Sequence, residues 1–215
     1  MQLLKGDIQL KRIRVGAVAI GQGTLQFFKH ISIIPTMIAF GRLGGGKNVV
    51  IQNAGFAHAL IFHSNREGWA HSTNAGTVAG VADPSAGDVI FRCNNREKAN
   101  LAGDTGLIWT KGGGTYKSSK ALKSGFRSSK YGDDAKARAA IYRKYREAEG
   151  GPPSRDGKEQ KHWFCSMYVI ACWQAAMASD AEVEQYMRLD ASYSTPMTLA
   201  TYLENHTEWT KYTIK

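Results

Sequence analysis

Apolar and polar positions alternate in short runs through the first half of the chain, separated by Gly, Asn and Pro. Asp7–Ile13 and Gly16–Ile20 read as β-strands, and Lys47–Gln52 leads into another at Ala57–His63. Gly68–Ser72, Gly76–Val81 and Asp88–Cys93 follow at short intervals. The apolar segment Leu25–Phe40 is broken by Pro35, and the pattern assigns it neither state. From Asn95 the period changes. Arg96–Ala102 reads as a short helix, and Lys111–Asp134, rich in Gly, Ser and Lys, as a long surface loop. Ala135–Glu149 is a helix with a basic exposed face, ended by Gly150-Gly151-Pro152-Pro153. Trp163–Ala178 is apolar nearly all round, which implies a buried helix. Thr195 and Pro196 are placed as N-cap and first residue of a last short helix. Strands followed by helices indicate an α+β fold.

The length of 215 residues suits a single domain over 1–215, with 111–134 as a basic insertion. Hydrophobic residues at 43% and charged residues at 21% exclude collagen, coiled-coil and disordered chains. The net charge of +10 makes nucleic acid the first partner to consider. Its distribution weakens that idea. Lys111 to Lys161 holds 14 Lys and Arg against 6 Asp and Glu, with Tyr116, Phe126, Tyr131, Tyr142 and Tyr145 interleaved but no nucleic-acid-reading motif. Nucleic acid is therefore disfavoured, and an anionic polymer, lipid surface or acidic partner is the expectation.

Met1–Asp7 lacks the basic region and long apolar stretch of a Sec signal, and Ile31–Phe40 is about half a membrane span. The expectation is cytoplasmic synthesis with no transmembrane segment. Three cysteines, Cys93, Cys165 and Cys172, are an odd count without regular spacing, which favours free thiols. No Cys-x-x-Cys or His-x-x-x-His pair suggests a metal, and no cofactor is expected.

Two features carry chemistry. Cys165 falls at the predicted start of a buried helix, where the helix terminus favours a thiolate and free backbone N–H groups suit an oxyanion. His58 and His71 lie on consecutive strands. If Ser64–Glu67 is the hairpin loop, His63 pairs with Gly68, and Leu60 faces His71. His58 and His71 are then diagonal neighbours about 7–8 Å apart at Cα, within reach of a ring-to-ring hydrogen bond.

Gly6-Asp7-Ile8, a strand opening with His58, Trp69-Ala70-His71 and Gly87-Asp88-Val89-Ile90-Phe91-Arg92 are followed by a late Phe164-Cys165-Ser166 helix. With Ser194-Thr195-Pro196 and Trp209 at the end, this order resembles the circularly permuted NlpC-type, papain-like cysteine hydrolases, a group that includes relatives of lecithin:retinol acyltransferase. The resemblance implies an antiparallel sheet packed on the cysteine-bearing helix, with Cys165 as nucleophile, His58 as base and His71 as orienting residue. It places the oxyanion at the Cys165 backbone N–H, with Gln160 as a further donor by analogy. Trp69, Ser166 and Tyr131 are the candidate substrate contacts. The chain departs from the family in having Met167-Tyr168 where many relatives carry an acid, a His58–His71 interval longer by one residue, and the 111–134 insertion.

The expected activity is hydrolysis of an amide bond, in the first place as a peptidoglycan amidase or endopeptidase. Such an enzyme fits an antibacterial toxin exported by a dedicated secretion system to a target-cell periplasm, with a carrier and an immunity protein as partners. A lipid or protein acyltransferase or thioesterase is the alternative. A non-catalytic polyanion-binding module is the third.

Overall fold

The computed structural model describes residues 1–12, 56–73, 76–81, 84–112, 114–116, 128–153 and 162–215. Gly16–Ile20, Leu25–Phe40, Lys47–Gln52, Gln160 and half of the 111–134 insertion lie outside these residues. Within them the fold is α+β. Six strands form one antiparallel sheet: β1 (Ile8–Arg12), β2 (Phe56–Ser64), β3 (Gly68–Thr73), β4 (Gly76–Gly80), β5 (Val89–Cys93) and β8 (Trp209–Thr213), in the order β4-β3-β2-β1-β5-β8. Two short strands, β6 (Thr115–Tyr116) and β7 (His162–Trp163), pair in parallel.

Alternation along the strands divides the sheet into two faces. Ile8, Leu10, Ala59, Ile61, Ala70, Val89 and Phe91 join the main core with the helices. Leu60, Phe62, Trp69 and Ile90 form a smaller cluster with Leu3, Tyr212 and Ile214. The centre of the main core is α3 (Cys165–Ala175), whose every residue is buried. Trp163 stacks on Trp109 with ring centres 5.6 Å apart, and Tyr168 meets Trp163 edge-on at 5.5 Å. Around it lie α1 (Arg96–Thr110), α2 (Asp133–Lys144), α4 (Asp180–Tyr186) and α5 (Pro196–Glu204).

Several elements differ from expectation. The helix expected over Arg96–Ala102 runs on to Thr110 as α1, through two glycines that cost about 1 kcal/mol each in helix propensity. Packing explains why the helix crosses them. A Cβ on Gly103 would lie 2.9 Å from the Phe62 carbonyl oxygen, and one on Gly106 would lie 3.0 Å from Ile61 Cγ2. Close approach to β2 requires their bareness. The apolar helix starts at Cys165 rather than Trp163, because Trp163 is held in β7. The basic helix ends at Lys144, short of Glu149. Strand β8 and helix α4 had no counterpart in the sequence pattern. The last helix begins as expected, with the Thr195 hydroxyl accepting from Thr198 N–H at 3.1 Å and Pro196 in the first turn.

Gly6 sits at φ +83°, donates to the Phe62 carbonyl at 2.8 Å, and a Cβ there would be 2.1 Å from the Ala99 carbonyl oxygen. Both the dihedral and the backbone contact forbid a side chain. Gly6→Ala is expected to lower unfolding free energy by more than about 3 kcal/mol, read from the urea midpoint.

Candidate functional site

The β2–β3 hairpin sets the first half of the site. Ile61 pairs with Ala70 and Phe62 with Trp69, the register expected from the sequence. Nearer the turn, Ser64 rather than His63 pairs with Gly68, and a bulge at His63 absorbs the difference. The β2–β3 ladder ends at Ile61 and Ala70. Beyond it β3 pairs with β4, through His71↔Val78 and Ser72↔Thr77, and β2 with β1, through Leu10↔Ala59 and Lys11↔His58. From these neighbouring strands His58 Nε2 and His71 Nδ1 come within 2.7 Å, with the ring planes at 76°. One nitrogen donates and the other accepts, so a single shared proton satisfies the bond between two neutral rings.

Both rings are held neutral. Burial, then the neighbouring His71 and Lys11, push His58 down to about 3. Burial and then Lys11 push His71 down to about 4. A second proton here would place an imidazolium beside another cation in a poorly hydrated site.

Cys165 supplies the second half. Phe164 is extended and Cys165 opens α3, so the backbone N–H groups of Cys165 and Ser166 have no partner within the helix. They and the Ala59 N–H, from the residue next to His58, are directed at the Cys165 sulfur. Cys165 is 4% exposed, and here a sequence expectation is overturned. The helix terminus was expected to favour the thiolate, yet burial pushes Cys165 up to about 11. Three N–H dipoles only partly replace the water that a charged sulfur loses.

The other sequence candidates lie elsewhere. Trp69 is 2% exposed and packs edge-on against Phe62 in the smaller cluster. Ser166 is completely buried and its hydroxyl donates to the Ser194 carbonyl at 2.7 Å. Tyr131 donates to Asp180 at 3.1 Å at the contact of α2 with α4. Gln160 lies outside the described residues.

Two features were not singled out from the sequence. One is a brace behind the thiol. Ser166 bonds Ser194, the Ser194 hydroxyl donates to the Asp190 carbonyl at 2.7 Å, and the Asp190 carboxylate takes Arg138 at 2.5 Å. This ties the first turn of α3 to α2 through contacts 28 and 52 residues apart, beyond any local pattern. The other is Lys11, opposite His58. Only the pairing of β1 with β2 brings it there.

Among the described residues, no three His, Cys, Asp or Glu side chains gather as a metal would require, and no helix is long and apolar enough to cross a membrane. Comparison with protein-family models, with curated proteins and with solved structures finds no match for this chain.

Proposed function

We propose that the protein is a thiol hydrolase of amide bonds with a permuted papain-like fold, acting on peptidoglycan peptides. The observations that carry this reading are a hydrogen-bonded histidine pair on neighbouring strands and a helix-start thiol whose sulfur accepts from the backbone amide of Ala59, the residue next to His58. The His71 bond takes Nε2 of His58 and leaves Nδ1, the ring nitrogen nearer the main chain, as the base. Nδ1 takes the Cys165 proton as sulfur attacks the substrate carbonyl. The N–H groups at the head of α3 are the donors for the oxyanion. The C–N bond then breaks, Nδ1–H protonates the departing amine, and the acyl group stays on sulfur as a thioester. Water, deprotonated by His58, releases the carboxylic acid and restores the thiol. His71 keeps the ring oriented through both steps.

Action on this substrate implies export to a target-cell periplasm, with a dedicated carrier and an immunity protein as the partners to seek. Incubating the purified protein with muropeptides is expected to release new amine-bearing fragments, detected by mass spectrometry. Intact muropeptides after prolonged incubation would refute the assignment.

The histidine pair also favours a second reading, acyl transfer or thioester hydrolysis of the lecithin:retinol acyltransferase type, in which a second histidine orients the first. An activated lipid that leaves an acyl adduct on Cys165, absent from Cys165→Ser, would select it over amide hydrolysis.

A further inference from the structure

Lys11 stands opposite His58 in the β1–β2 ladder, partly buried, and its charge is felt by both histidines. Nearby basic side chains are engaged: Arg92 and Arg96 with Asp7, Lys5 with Asp104, and Arg12 over the Phe56 ring. Lys11 has no carboxylate partner among the described residues. Among the described residues the resting site therefore holds a neutral thiol, two neutral imidazoles and a lysine with no carboxylate partner.

That charge works against the chemistry until something neutralises it. Proton transfer from Cys165 makes His58 an imidazolium, and Lys11 repels it. A substrate anion seated on Lys11 removes the repulsion and adds attraction as the ring becomes charged. Opposed Cβ atoms in such a ladder are about 5 Å apart. An extended lysine thus sets its ammonium within one or two peptide residues, about 3.5 Å each, of the carbonyl under attack.

We propose that Lys11 is a specificity-determining residue that binds a substrate carboxylate one or two residues from the scissile amide, making an acidic peptide the preferred substrate. This rests on the thiol-hydrolase reading and adds the feature that the substrate must carry. A neutral acyl chain offers nothing for Lys11 to bind.

The test uses two peptides that differ only in a free or amidated carboxyl group beside the scissile bond. Wild type is expected to favour the free acid in kcat/KM by about tenfold, the scale of one charge-assisted hydrogen bond. Lys11→Met should bring that ratio close to one, and Lys11→Glu should invert it. A ratio that Lys11→Met leaves unchanged overturns the proposal. A second measurement needs no turnover: the free-acid product should protect Cys165 from iodoacetamide in wild type and not in Lys11→Met. If neither peptide is cleaved but protection depends on Lys11, the anion site stands and the hydrolase reading falls. Protection that is absent, or equal in both proteins, overturns the anion site.

Discussion

Serine at Cys165 is expected to reduce amide hydrolysis at least about ten-thousandfold while leaving circular dichroism and the urea midpoint close to wild type. Its hydroxyl is close to the thiol in size and still accepts from the backbone N–H groups directed at the sulfur, so no buried donor is orphaned. His58→Ala is expected to cost nearly as much, because nucleophile and base act as one unit and losses at either are not additive. The pH dependence follows from the neutral resting state. With His58 near 3 and Cys165 near 11, sulfur and ring do not form a standing thiolate–imidazolium pair at neutral pH. The proton must move as the carbon–sulfur bond forms. Hydrolysis is therefore expected to stay level from about pH 5 to pH 9, with no acid limb near the ordinary histidine value of about 6.5. Alkylation of Cys165 by iodoacetamide, which needs the thiolate, is expected to rise about tenfold per pH unit across the same range. A bell-shaped profile centred near pH 7, with fast alkylation at neutral pH, would instead mark a pre-formed ion pair.

What could be read from the sequence was local. The register joining Ile61 to Ala70 follows from apolar alternation and a loop of fixed length, and it brings His58 and His71 together before any third element is considered. Thr195 and Pro196 act within one helical turn, so their roles are written in consecutive residues. The start of α3 at Cys165 was off by only two residues, since Trp163 belongs to a strand whose partner, Thr115–Tyr116, lies in the distant basic stretch. Other features depend on chain segments far apart. The two glycines of α1 look like helix breakers until Ile61 and Phe62 are laid against them. Ser166 and Trp69 look exposed beside candidate catalytic residues, but both are buried, and depth is a property of the assembled layers. The thiol shows the same limit in its energetics. Helix position favours the thiolate, burial opposes it, and only the folded structure shows that burial is larger.

The histidine pair is expected to make the fold acid-labile well above the range where carboxylates titrate. In an unfolded chain each ring would take a proton near pH 6.5, whereas in the folded chain His71 holds out to about 4 and His58 to about 3. Between those values the unfolded state binds more protons, so acid draws the equilibrium toward unfolding. Stability from this source is fully present above about pH 6.5. It is lost as pH falls toward the folded values, at up to about 1.4 kcal/mol per pH unit for each ring. Partly buried His206 is also held low, by burial and by Arg188, and adds a slope of the same sign. Two rings losing this stabilisation together over a pH unit or more remove several kcal/mol, a large part of what holds an ordinary domain. Urea denaturation at intervals from pH 7.5 to pH 5.5, where carboxylates remain ionised, is the measurement. The double variant His58→Gln, His71→Asn keeps polar groups at both positions without titrating, so its unfolding free energy should be nearly flat over that window. Equal slopes in wild type and variant would mean that the rings take up protons without cost, contrary to their burial and to the cation at Lys11.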